Sequence, residues 1–151
     1  MDASELEARI AASYPRLVRR LTLVVGDRGY AEDLAQEACL RALNALPRFD
    51  GANFEGWLLT IGTRLALNEV RRRKRQVAAL LGREQSWSPA VETDLWDALQ
   101  RLKPNVRAAF LLNVMEGYTQ AEIGAMLDRR PGTVASWIAA AKSQLRRDLE
   151  R

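Results

Sequence analysis

The chain has 151 residues, 48% of them hydrophobic and 28% charged, with a net charge of +4, which suits one ordinary domain or two small ones with real cores. It has no histidine and a single cysteine, Cys39, so an intramolecular disulfide, a histidine-based catalytic triad and a His/Cys metal site are excluded. No apolar run approaches the roughly 20 residues needed to cross a bilayer. The opening MDASELEARI also lacks the basic-then-apolar order of a signal peptide, so a cytoplasmic protein without membrane insertion is expected.

Periodicity is helical almost throughout and no alternating strand pattern emerges, so the fold class expected is all-α. Ser4 and Glu7 have capping-box spacing for a first helix, and Gly26 marks its stop after Leu21–Val25. Pro15 leaves two short helices or one kinked helix open. A second helix is predicted from about Tyr30 to Leu46, ending before Pro47. Leu34, Ala35, Ala38, Cys39, Ala42, Leu43 and Leu46 form its apolar stripe; Glu32, Asp33, Gln36, Glu37 and Arg41 lie opposite. Cys39, among those apolar positions, is expected to be a buried inert thiol.

The loop PRFDGAN follows, with Asn53 placed to cap a long helix from Phe54 to about Arg75. Residues 77–92 lose the clean pattern and contain Gly82, Ser86, Ser88 and Pro89. They are expected to be a flexible linker between domains at 1–76 and 93–151, although Val77–Leu81 can also extend the preceding helix. Helices are then predicted over Asp94–Leu102, from Pro104 to about Met115 with Gly117 as the stop, and from a Thr119/Glu122 capping box to Leu127. The turn Asp128-Arg129-Arg130 leads into a last helix from Pro131 to about Leu149.

Two constellations carry chemistry. At about 100° per residue, Trp57, Arg64, Asn68, Arg71 and Arg75 fall on one side of the third helix, with Arg72 at the margin. Leu58, Leu65, Ala66 and Val70 turn toward a core. Guanidinium groups so arranged can follow a phosphate backbone, with the steep salt dependence of counterion release. Phe49 and Trp57 offer flat surfaces for an unstacked base, while Asp50 and Asn53 offer polar groups for its edge; packing in a core is the other reading of the two aromatics. The second constellation, YTQAEIGAMLDRRPGTVASWIAAAKSQLRRDL, has helix-turn-helix grammar, with Ile123, Met126, Leu127, Val134, Ile138 and Leu145 as contacts between helices. The acidic face of the second helix would repel phosphate, so it suits a basic protein partner; ordinary solvated polarity is the other reading of that face.

With AEDLAQEACLRAL, FEGWLLTIGTRLALNEVRRRKR, LWDALQRLKPNVRAAFLLNVMEGYTQAEIGAML and PGTVASW in that order, the chain resembles the bacterial sigma-70 family. It is most similar to its smallest members, the extracytoplasmic-function (group IV) sigma factors. The resemblance covers nearly the whole chain and implies a region-2 helical bundle joined to a region-4 helix-turn-helix domain. It implies that Asp33, Gln36, Glu37 and Arg41 contact the clamp helices of the largest RNA polymerase subunit. Arg48, Phe49, Asp50 and Asn53 would belong to the loop that captures a flipped base of the minus-ten element. Trp57, Arg64, Asn68, Arg71, Arg72 and Arg75 would hold DNA where melting starts. Arg129, Arg130, Thr133, Ser136, Trp137 and Lys142 would serve the minus-thirty-five element, and the same domain would bind the polymerase flap.

One departure from the family pattern is the recognition helix, where Ala135–Ala141 carries no base and only Lys142, Arg146 and Arg147 follow. Trp137 there either contacts thymine methyls or anchors a protein as an exposed hot spot. The resemblance implies a non-enzymatic promoter-specificity subunit with no cofactor, partnered by polymerase core, promoter DNA and an anti-sigma factor. The alternative is a sigma-like adaptor or mimic that binds an anti-sigma factor or polymerase without conventional minus-thirty-five recognition.

Overall fold

The computed structural model describes residues 2–81 and 94–150. All regular structure among them is helical: α1 (Ala3–Val25), α2 (Arg28–Ala45), α3 (Phe54–Leu81), α4 (Asp94–Arg101), α5 (Pro104–Val114), α6 (Gln120–Leu127) and α7 (Pro131–Leu149), plus a 3-10 turn at Leu46–Arg48. The chain divides into two compact units, Met1–Glu69 and Val70–Arg151, and the division falls inside α3. The expected linker lies mostly in residues 82–93, outside the described residues; its first part, Val77–Leu81, continues α3 as helix.

The first unit is a bundle in which α1 and α2 pack side by side. The cap of α1 differs from the expected Ser4 box. Asp2 is the N-cap and its Oδ1 accepts from the Glu5 amide at 2.8 Å, which places Ser4 inside the helix. An aspartate two residues upstream offers the same acceptor as a serine and adds a negative charge at the positive helix end. The helix runs unbroken through exposed Pro15 and ends at Gly26, whose φ of 82° only glycine adopts without cost. Asp27 then caps α2, which starts two residues before the expected Tyr30 and gives way to the 3-10 turn containing Pro47.

Leu6, Leu17, Leu21, Leu34, Ala35, Ala38, Ala42, Leu58, Leu65 and Ala66 form the core of this unit. At Gly62 α3 lies close against α1: a Cβ there would meet Leu17 Cδ1 at 3.1 Å and Leu21 Cδ1 at 3.4 Å. Three residues of the expected α2 stripe depart from it. Cys39 is half-buried, Leu43 is 42% exposed, and Leu46 is half-buried in the 3-10 turn beyond the helix.

In the second unit, α7 is the central helix and packs against α4, α5 and α6. The Thr119/Glu122 capping box forms as the sequence predicts, with Thr119 Oγ1 accepting from the Glu122 amide at 3.1 Å and Glu122 Oε1 from the Thr119 amide at 2.9 Å. Asp128 closes α6 in the left-handed conformation (φ 55°), and Pro131 opens α7. Ile123, Met126, Leu127, Val134, Ile138 and Leu145 are all buried, so the contacts expected between helices are made.

Candidate nucleic-acid interface

The loop before α3 is built by its own polar groups. Asp50 Oδ1 accepts from the Ala52 amide at 2.9 Å, and Gly51 takes a φ of 89°. Asn53, itself left-handed at φ 46°, accepts from the Gly56 amide through Oδ1 at 3.1 Å and so caps α3. Asp50 and Asn53 are exposed, yet each commits a side-chain oxygen to the loop. What Asn53 retains for a base edge is its amide NH2.

Phe49 and Trp57 stack with centroids 4.6 Å apart and planes at 30°, and buried Phe54 meets both at 5.8 Å. Arg9 of α1 lies over the Phe54 ring at 5.8 Å, and Arg16 pairs with Glu55 at 3.6 Å. Both Phe49 and Trp57 stay half-buried. Phe54 is the buried member of the cluster, while Phe49 and Trp57 are its partly open rings. Arg48, at the end of the 3-10 turn, is exposed beside them in sequence.

Further along α3, Arg64, Asn68, Arg72 and Arg75 are exposed at helical spacing, opposite buried Leu58, Leu65 and Ala66. Arg71 is half-buried and donates through Nη2 to Oδ1 of Asn105 in α5, within the second unit. A phosphate approaching Arg71 would compete with that amide.

In the helix-turn-helix, Arg129 and Arg130 are exposed in the turn, and Thr133, Ser136 and Trp137 lie in the first two turns of α7. Trp137 is half-buried, and the Arg129 guanidinium lies over its ring at 6.0 Å. Lys142 does not join them: at about 100° per residue it sits about 180° from Thr133 and 140° from Trp137. Among the described residues no helix is long and apolar enough to cross a membrane, and no group of three His, Cys, Asp or Glu is placed to hold a metal.

Two family models match in chain order, sigma-70 region 2 over residues 10–76 and sigma-70 region 4 over residues 92–145. The chain belongs to the sigma-70 family. Its relatives place it in the extracytoplasmic-function group. It is 37% identical to the ECF RNA polymerase sigma factor SigE of Mycolicibacterium smegmatis, over 94% of this chain and 59% of that protein. It is also 34% identical to the RNA polymerase sigma factor CarQ of Myxococcus xanthus, over 83% of this chain and 78% of that protein. The fold matches the sigma factor RpoE of Bartonella quintana, solved in complex with the anti-sigma factor NepR, with a TM-score of 0.80, 24% identity and 98% coverage of both chains.

Within this sigma-family frame, α2 presents Asp33, Gln36, Glu37 and Arg41 on its exposed face, with Arg41 Nε 3.2 Å from Glu37 Oε1. Sequence reasoning missed Leu40, 55% exposed in the middle of that polar face, and placed Leu43 in the core. The available signal was angular: Leu40 falls with Gln36 and Asn44 when projected at about 100° per residue. Burial pushes the Cys39 thiol above its ordinary range, consistent with an unreactive residue.

Sequence also gave no hint of Arg107. It is only 4% exposed in α5, and its Nη1 donates to the carbonyls of Leu102 at 2.8 Å and of Leu99 and Gln100 at 3.4 Å. Its guanidinium closes the C-terminal end of α4, and burial lowers its pKa to about 10.

Proposed function

We propose that this chain is a promoter-specificity subunit. It binds core RNA polymerase through the exposed face of α2, holds promoter DNA through α3 and α7, and aids strand separation without catalysing a reaction. The observation that carries the reading is the succession of an aromatic stack at Phe49–Trp57 and the arginine-bearing α3 that grows from it. Melting follows from capture: an unpaired base resting on the open side of the stack gains about 1–3 kcal/mol, which offsets the few kcal/mol lost on unstacking. Arg64, Asn68, Arg71, Arg72 and Arg75 then hold the adjoining backbone. An acidic α2 face suits a basic helical partner and keeps this surface away from DNA. The protein acts in the cytoplasm, where its polymerase partner works.

Run-off transcription with purified core tests this directly. The chain should confer initiation at its cognate promoter, and the Arg71→Ala, Arg72→Ala double variant should reduce it severely. Unchanged initiation removes the basic face from the mechanism. An anti-sigma factor is a further proposed partner, supported by the NepR complex of the Bartonella relative; pull-down from the native cell is its test.

The adaptor reading keeps one supporting observation: α7 has no charged residue from Pro131 to Ala141. Footprinting of the holoenzyme separates the two readings, because protection at both promoter elements rules out an adaptor.

A further inference from the structure

We propose that Trp137 reads thymine methyl groups in the upstream promoter element and that Arg129 is a positioning residue holding the indole in place. This rests on the reading that the second unit docks on upstream promoter DNA, and it adds the base chemistry recognised there.

Arg129 is committed to its own turn. Its amide donates to the Gly124 carbonyl at 2.8 Å, and the two chain segments approach so closely that a Cβ on Gly124 would stand 2.6 Å from the Arg129 carbonyl oxygen. Its Nη1 donates to the Asp128 carbonyl at 2.9 Å and to the Leu127 carbonyl at 3.4 Å, acceptors that the end of α6 leaves over. The flat guanidinium then lies over the Trp137 ring at 6.0 Å, within cation–π range. A guanidinium held from these directions is poorly placed to present its fork to guanine O6 and N7.

The indole is left to carry the base contact. From Pro131 to Ala141 the helix has no charged side chain, so its own means of reading a base edge are Thr133, Ser136 and Trp137. Thr133 and Trp137 lie one turn apart on the same side of α7, while Val134, Ile138, Ala141 and Leu145 face the core. An indole has one donor and no acceptor, and its remaining edge is apolar. The apolar landmark of the major groove is the thymine C5 methyl. A half-buried ring braced by Arg129 makes a fixed edge for such a methyl; a tryptophan that anchors a protein instead inserts into a fully desolvated pocket.

The test uses holoenzyme reconstituted from core polymerase and the full chain. A duplex library randomised over the upstream element is selected first, and the winning duplex is then synthesised with each thymine replaced in turn by deoxyuridine. Removing a contacted methyl should weaken wild-type binding about four-fold, the effect of exposing one buried methyl. Trp137→Ala should bind the thymine and deoxyuridine duplexes equally. Arg129→Gln should also lose the preference while keeping the wild-type salt slope.

Equal wild-type affinity for both duplexes overturns the proposal, and needs no variant to fold. Arg129→Gln that keeps the preference but lowers the salt slope by about one makes Arg129 a phosphate contact and overturns its positioning role. Trp137→Ala that keeps the preference but weakens core binding makes the indole a protein anchor. Failure to select any upstream sequence overturns the DNA-docking reading itself, whereas selection of a thymine-indifferent sequence sinks this inference alone.

Discussion

Phe49 and Trp57 stack face to face at 4.6 Å, one contributed by the loop and the other by the first turn of α3. The stack ties a loop with two left-handed residues, Gly51 and Asn53, to a rigid helix. Phe49→Ala should therefore act twice. It should lower stability by about 1 kcal/mol, the added value of an aromatic pair, and it should impair promoter opening more than promoter binding. Permanganate reactivity of unpaired thymines, compared with filter binding of the closed complex, measures the two separately. Equal loss in both assays would mean that the stack is only structural.

That cluster shows how far sequence can be pushed. The aromatics, Asn53 cap and arginine spacing are local, so their placement on loop and helix could be read from residue order. So could the Thr119/Glu122 box, whose donors and acceptors lie within three residues. What failed depended on competition or on distant partners. Asp2 displaced Ser4 as a cap because two acceptors stood within reach of the same helix end. Leu43 sat at the margin of the α2 stripe, where an angular projection cannot say which side the bundle covers. Arg107 was invisible because its acceptors include backbone carbonyls, which every residue carries. The Arg129–Trp137 contact was not legible either, because it depends on the folded path of the preceding turn.

Arg107 should prove essential to the second unit. Arg107→Ala removes the donor from the Leu99, Gln100 and Leu102 carbonyls and leaves a void, so a loss of about 3 kcal/mol is expected in urea unfolding. Arg107→Met fills the volume but not the hydrogen bonds and should fall between the two. The folded pKa of about 10 lies well below the ordinary guanidinium range. Folding thus favours the neutral form, and the cost of burying the charge is constant below about pH 10 and is relieved as the pH rises above it. The urea midpoint of the wild type should therefore rise relative to that of Arg107→Met as the pH is raised above about 10. A difference between the two that does not change there contradicts this assignment.

Two glycines of the helix-turn-helix give opposite expectations. A Cβ at Gly124 would stand 2.6 Å from a backbone oxygen, so Gly124→Ala must displace the turn; a loss of about 2 kcal/mol is expected. Gly132, in the first turn of α7, has nothing within 4 Å of such a Cβ. Gly132→Ala should therefore leave stability unchanged or raise it by up to about 1 kcal/mol. Thermal melting of both variants decides the matter, and a destabilised Gly132→Ala would show that the opening of α7 is tighter than the structure has it.

Leu40 separates fold from association. It is 55% exposed on α2 and one turn from Gln36, Glu37 and Asn44, so truncation removes little from the core. If this face meets polymerase, an apolar side chain at its centre loses its water on binding, while the Glu37–Arg41 pair at the rim contributes little in isolation. Leu40→Ala should leave the melting temperature within about a degree and raise the dissociation constant for core polymerase about ten-fold. Glu37→Ala should mainly slow association and change its salt dependence. Competition of each variant with the wild-type chain for a limiting amount of core gives both values. If Leu40→Ala competes as well as the wild type, polymerase docks through another face, and the acidity of α2 is solvation alone.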